Sequence, residues 1–241
     1  IIVPGASADS HVILDEIELL GKIKNTWKSV PASGCFHGAF PTIRGFQEPW
    51  LQGRTKPMAI DIFEELVGKK LSMVLWYQGM KPGRDFKEIQ KYIENDLRDN
   101  YFGQRFMSLG WLPPEDVPLD DIISGKMDNY FYQYFNDCLT AGNTSGADIP
   151  IWFRPMNEFN GGWVPYGLQP EKFKSAWRRL YNIAEQTGVT EKHIFLWSPA
   201  HEVYDTPAWN RMENYYPGDQ YVDWVGLSCY PNTSKYIRTE D

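Results

Sequence analysis

The sequence predicts an α/β fold, a (β/α)8 barrel of the TIM type, of which about six strands fall within the 241 residues. Three observations carry this. Short apolar runs alternate with longer patterns of helical period along the chain, the order expected of parallel β/α units. The runs are apolar at consecutive positions, as strands covered on both faces are. A polar or aromatic residue stands at the C-terminal end of each run, where such a barrel assembles its chemistry. The competing architecture, a doubly wound sheet, usually carries a glycine-rich phosphate turn after its first strand; here that strand ends in HGAFP, which is not a GxGxxG turn.

In chain order, Gly34–Phe40 (GCFHGAF) reads as the first strand, bearing His37. Lys56–Gly68 has apolar residues at helical spacing and ends on a glycine, a usual helix stop. Lys70–Gly79 (KLSMVLWYQG) is a buried strand with Trp76 and Tyr77 near its end, and Asp85–Asn100 is an amphipathic helix. Gln104–Pro114 is a third strand ending at Trp111, and Leu119–Gly142 is helical in its second half. Ile149–Pro155 (IPIWFRP) is a fourth strand, with Arg154, Asn157 and Glu158 at and just beyond its end. Gln169–Gly188 is a strong helix, with Pro170 near its start and Gly188 at its stop. His193–Pro199 gives a fifth strand ending at Trp197, and Val222–Tyr230 a sixth ending on Tyr230.

A chain of this length that is 42% hydrophobic, with no Ser/Gly-rich linker, charge block or repeat, is expected to form a single domain over residues 1–241. The net charge of −7 argues against a nucleic-acid partner, whose phosphates require clustered Lys and Arg. No apolar run approaches the roughly 18 residues that span a bilayer, so no membrane partner is expected. Cys35, Cys138 and Cys229 form no CxxC pair and read as buried free thiols. Asn143 and Asn232 open N-glycosylation tripeptides, which matter only in a secretory pathway. No HExxH motif or close His/Asp cluster appears, so neither a metal site nor a cofactor is expected. No GxSxG elbow appears either.

The stretch IWFRPMNEFNGGWVPYG, residues Ile151 to Gly167, is the candidate site. A general acid must stay protonated near neutral pH, and burial against aromatic groups favours that by penalising the anion. Glu158 among Phe159, Trp163 and Tyr166 is the residue placed for it. Asn157 offers a neutral amide that can donate to a sugar hydroxyl and accept from it. Arg154 either orients carboxylates in the site or forms a structural ion pair. Trp163, Tyr166, Trp197, Trp111, Trp76 and Tyr230 form an aromatic set: the C–H faces of sugar rings pack on such rings while hydroxyls reach outward. Core packing is the competing reading for each of them. His37 is either a site residue or a satisfied strand-end histidine.

Taken together, GCFHGAF, WFRPMNEFNGGWVPYG, FLWSP and YYPGDQYVDWVGLSCY resemble glycoside hydrolase family 26, in clan A of the (β/α)8 glycosidases, in consistent order from about Gly34 to Tyr230. The resemblance implies a secreted, extracellular retaining endo-glycosidase of the β-mannanase or β-1,3-xylanase type, acting on a polysaccharide or oligosaccharide, most often β-mannan. It implies Glu158 as acid/base, Trp163 lining the subsites around it, Tyr230 bonding the nucleophile and Trp197 in the sugar-binding floor. The family usually has histidine where this chain has Asn157, and a histidine after the third-strand tryptophan where this chain has Leu112 and Pro113. Its nucleophile is a glutamate on a seventh strand. Six strands are counted here, Glu240 has no apolar run before it, and Glu202, after the fifth strand, is the other carboxylate to watch. The expectation is therefore a barrel truncated at its C-terminal end relative to the family, its open side closed irregularly or by a missing segment. A catalytically inactive glycan-binding protein on the same scaffold is the alternative.

Overall fold

The structure, a computed structural model, describes residues 38–39, 58–93, 106–144, 150–201 and 206–229. Six strands lie in one parallel sheet in sequence order: β1 (Gly38–Ala39), β2 (Met73–Gly79), β3 (Phe106–Leu112), β4 (Ile151–Pro155), β5 (Ile194–Trp197) and β6 (Trp224–Val225). Helices α1 (Met58–Val67), α2 (Phe86–Tyr92), α3 (Leu119–Ile123), α4 (Asp128–Thr144) and α5 (Pro170–Thr187) alternate with them. The six strands form a half-barrel, the part of a (β/α)8 barrel that the sequence predicts.

The helix ends follow local chemistry. Asp85 caps α2 by accepting from the Lys87 backbone N–H. Pro170 stands at the first position of α5, and Gly188 ends that helix in the left-handed region at φ 80°. The sixth strand, expected over Val222–Tyr230, is only Trp224–Val225 among the described residues, and a second departure lies in Leu119–Gly142. Its first half is helical too, as the short α3, and Gly125 at φ 88° separates it from α4. Arg179 of α5 closes this corner with a two-pronged contact, 2.8 and 2.6 Å, to the Asp128 carboxylate.

Side chains alternate across the strands, which splits the core in two. Val74, Met107, Leu109, Trp111, Ile151, Phe153, Phe195 and Trp197 meet the helices in the larger cluster, against Ile89, Phe131, Phe135, Phe173, Trp177 and Leu180. The opposite, concave face holds Phe106, Trp152 and Ile194, with Met73, Leu196 and Trp224 packed on them. Phe106 stacks on Trp152 at 4.8 Å, and Trp152 meets Trp224 at 4.9 Å. These rings fill the concave face toward the N-terminal ends of the strands and leave its C-terminal end to polar residues.

The YYPGDQYVDWVG stretch is held by α5: Trp177 Nε1 donates to the Tyr221 carbonyl and Arg178 Nε to the Pro217 carbonyl, both at 2.8 Å. Asp223 then sets β6 beside β5, its carboxylate accepting from Phe195 N at 2.9 Å and its own N–H donating to Phe195 O at 3.0 Å. Cys138 is buried, which pushes its thiol up, and Cys229 is exposed. Cys35 and Asn232 lie outside the described residues, and Asn143 falls in the last turn of α4.

Candidate active site

The loop after β4 is suspended between its neighbours. Met156 N donates to the carbonyl of Trp111 at the end of β3, and Glu158 N to the carbonyl of Ser198 just past β5, both at 2.9 Å. Two non-glycine residues there, Met156 (φ 50°) and Glu158 (φ 59°), take the left-handed conformation, as does Leu168 (φ 58°) at the loop's far end. Such a conformation costs of order 1 kcal/mol or more per residue. It persists here because the backbone bonds to β3 and β5 fix it. Strain of this kind gathers at functional sites.

Glu158 is half-buried, and its Oε2 accepts a 2.8 Å hydrogen bond from the indole Nε1 of Trp163. Trp163 is 67% exposed. Its ring lies on Gly161 so closely that a Cβ there would stand 2.4 Å from the ring, so the glycine is what lets the indole fold back onto the carboxyl. Asn157 is 4% exposed, and its Oδ1 has no hydrogen-bond partner among the described residues. A buried amide oxygen left so costs about 1–3 kcal/mol. Tyr166 is buried beneath the loop and donates to the Asn157 carbonyl at 2.8 Å. Burial, and then the Glu158 charge, hold its phenol well above the usual tyrosine range.

Arg154 takes a different form from the ion pair the sequence leaves open. Its guanidinium donates to the hydroxyls of Ser228 and Tyr77, and no carboxylate pairs with it among the described residues. Ser228 is itself buried and bridges to Ala200 beyond β5. Tyr77, Gly110 and Arg154 are direct register partners across β2, β3 and β4. The C-terminal end of the concave face therefore carries a phenol, a guanidinium and a hydroxyl beside the Glu158 loop.

The remaining candidates divide sharply. Trp111 is fully buried on the helix side, stacked on Tyr134 at 4.4 Å. Trp197 is 2% exposed, packed on Phe159 at 5.2 Å and Tyr216 at 5.3 Å. Trp76 packs against the same helix-side cluster. Phe159, expected to shelter Glu158, turns instead into that core, 4.0 Å from Phe173. The structure thus brings Glu158, Asn157, Arg154, Trp163 and Tyr166 together and places Trp76, Trp111 and Trp197 among the helices. His37, Tyr230, Glu202 and Glu240 lie outside the described residues. Among the described residues no group of His, Cys, Asp and Glu is arranged to hold a metal ion, and no helix is long and apolar enough to cross a membrane.

Three residues that matter here are absent from the sequence candidates. Ser228 and Tyr77 hold Arg154. Asn160 staples the β4 and β5 loops: its side chain exchanges 2.8 and 2.9 Å bonds with the N–H and carbonyl of Ala200. Arg154 at a strand end was the signal for its partners, because a half-buried guanidinium must be met by acceptors.

Comparison with known proteins finds similarity to glycoside hydrolases. Residues 126–240 match the family described as Glycosyl hydrolase family 26. Endoglucanase H of Acetivibrio thermocellus is 28% identical over 75% of this chain and 19% of its own length. A mannan endo-1,4-beta-mannosidase of Bacillus subtilis is 29% identical over 45% of this chain and 30% of its own length. Among solved structures, the catalytic domain of the family 26 endo-beta-1,4-mannanase from Bacillus sp. JAMB-750 superposes with a TM-score of 0.58 at 20% identity, over 83% of this chain and 57% of that one. The chain thus spans less than a third of these curated relatives and a little over half of that domain. The segment that matches glycosyl hydrolase family 26 contains the Glu158 loop and its contacts to Ser198 and Ala200.

Proposed function

We propose that this chain is part of a retaining endo-glycosidase that cuts a β-linked plant or algal polysaccharide, with β-mannan the first candidate. The observation that carries the reading is how Glu158 is held. It is half-buried at the C-terminal mouth of a half-barrel, in a strained backbone conformation, with its carboxyl oriented by an indole N–H. Beside it stands a buried amide oxygen with no partner among the described residues. A fold retains such costs where they place groups for a ligand.

In the first step Glu158 gives its proton to the oxygen joining two sugars as that bond breaks and a second carboxylate bonds to the anomeric carbon. In the second Glu158 takes a proton from the water that attacks the anomeric carbon and displaces that carboxylate. Asn157, once a sugar is bound, offers its amide to a ring hydroxyl, and Trp163 gives an exposed ring face for a pyranose. Arg154, held by Ser228 and Tyr77, contributes fixed positive charge at the mouth. The names of the relatives support mannan and leave β-glucan as an arm of the test. Incubating the full protein and its Glu158→Ala variant with β-mannan, β-1,3-xylan and mixed-linkage glucan, and following reducing ends, tests the reading. Release by the parent and not by the variant is expected; equal release by both contradicts the role of Glu158.

One observation favours a second reading, a glycan-binding protein without catalysis. A retaining pair needs two carboxyls roughly 5–5.5 Å apart, and the concave face of the described strands carries no acidic side chain. Oligosaccharide binding with no reducing ends released at long times would support that reading.

A further inference from the structure

We propose that Tyr77 is an aromatic platform for a sugar ring of the substrate, set in place by Gly110; this rests on the glycan-directed reading above. Tyr77 stands on the concave face, near the C-terminal end of β2, and is 37% exposed. Its direct register partner on β3 is Gly110, and the partner after that is Arg154 on β4. A Cβ on Gly110 would stand 2.3 Å from Cδ1 and 2.4 Å from Cε1 of Tyr77. The phenol ring therefore lies over the β3 backbone rather than rising from the sheet, and only glycine at residue 110 leaves room for it. No left-handed backbone explains that glycine, for Gly110 is not among the residues with positive φ.

The far end of the ring reaches Arg154, whose guanidinium donates to the Tyr77 hydroxyl at 3.4 Å. That is long for an N–H···O bond, well beyond the usual 2.9–3.0 Å or so. The steric slot, rather than this bond, fixes the ring. Arg154, which the ring meets, lies at the end of β4, four residues before the acid. A flat, partly exposed ring with its hydroxyl turned to a cation suits the apolar face of a pyranose. The adjacent Trp76 packs with the helices instead.

The test compares the full protein with its Tyr77→Phe, Tyr77→Ala and Gly110→Ala variants. Binding of a β-1,4-linked manno-oligosaccharide is measured by calorimetry, alongside KM and kcat on β-mannan, with circular dichroism as the check on folding. Tyr77→Phe keeps the ring and is expected to bind within about twofold of the parent. Tyr77→Ala is expected to weaken binding and raise KM about tenfold with a smaller change in kcat. Gly110→Ala, which tilts a tyrosine still present, should fall on the side of Tyr77→Ala; if it does not fold, the two Tyr77 variants decide the matter. Tyr77→Ala within about twofold of the parent overturns the platform. So does Tyr77→Phe as damaging as Tyr77→Ala, because the hydroxyl and not the ring would then be what matters. A parent that binds no such oligosaccharide overturns the platform and the glycan reading together, whereas binding that Tyr77→Ala leaves unchanged overturns the platform alone.

Discussion

The indole Nε1 of Trp163 donates a 2.8 Å hydrogen bond to Oε2 of Glu158 while its ring rests on Gly161. Five residues apart in sequence, the two are joined by a loop whose bends serve that contact. A hydrogen bond to a charged group contributes about 1.5–3 kcal/mol, toward the low end at an exposed site. Trp163→Phe keeps a ring and loses the donor. It should lower kcat/KM on β-mannan about tenfold, with the loss shared between kcat and KM, while the thermal midpoint stays near that of the parent.

Gly161 and Gly167 are the loop's steric limits. A Cβ on Gly161 would meet the Trp163 ring at 2.4 Å, a side chain that can swing away. A Cβ on Gly167 would meet the Gly161 carbonyl oxygen at 2.0 Å, a backbone atom that cannot move without the loop. Gly161→Ala should therefore lose activity with little loss of stability, and Gly167→Ala should lose both. Thermal melts beside kinetics separate the two cases.

Asn157 tests whether the strained site is kept for function. Its side-chain oxygen makes no hydrogen bond among the described residues although it is buried. Removing it should cost the fold little and relieve an unsatisfied group. Asn157→Ala is expected to leave chemical stability within about 1 kcal/mol of the parent, or above it. Activity on β-mannan should fall by about two orders of magnitude if the amide serves the reacting sugar. A large loss of stability would mark the residue as structural.

Trp111 supports the site from behind, fully buried against Phe131, Tyr134, Phe135 and Phe153, with its carbonyl accepting from Met156 N. Trp111→Ala should destabilise the chain by about 3–5 kcal/mol, read from a denaturant midpoint shifted at unchanged slope. On this account its effect on catalysis follows the loss of fold, not of sugar contact.

Buried tyrosines give the chain an alkaline limit. Burial pushes the phenol of Tyr215 up to about 12, and in the unfolded chain it ionises near 10. Between those values the unfolded chain has released the proton and the folded one has not. The contribution is therefore complete below about pH 10 and is lost as pH rises toward 12. Tyr134 and Tyr166, raised in the same direction by burial, steepen the fall. Urea midpoints between pH 10 and 12 should decline, and Tyr215→Phe should decline less steeply.

The strand order and the loop of Glu158 could be read from the sequence because each leaves a local mark. Doubly covered strands are continuous apolar runs, and a carboxylate between glycines and large aromatics has few structural uses. The same continuity concealed which face each strand residue takes. Trp76 and Tyr77 are neighbours of similar character, yet one meets the helices and the other the concave face. Gly110 and Trp111 divide in the same way. A run that is apolar on both faces carries no period-two signal, so Trp76, Trp111 and Trp197 were expected at the mouth, and the structure packs them among the helices. Ser228 and Asn160 were hidden for another reason: their roles are hydrogen bonds made across 74 and 40 residues of sequence.

The central claim is that the Glu158 carboxyl delivers a proton to a sugar-linking oxygen, and leaving-group dependence tests it most directly. The first turnover of the full protein and its Glu158→Ala variant is compared on β-mannan and on a manno-oligosaccharide carrying a dinitrophenyl leaving group, which departs without protonation. The account predicts that the variant loses first-turnover cleavage of mannan by at least about a thousandfold and keeps first-turnover release of dinitrophenol near the parent rate. Equal losses on both substrates, or none on mannan, would contradict it.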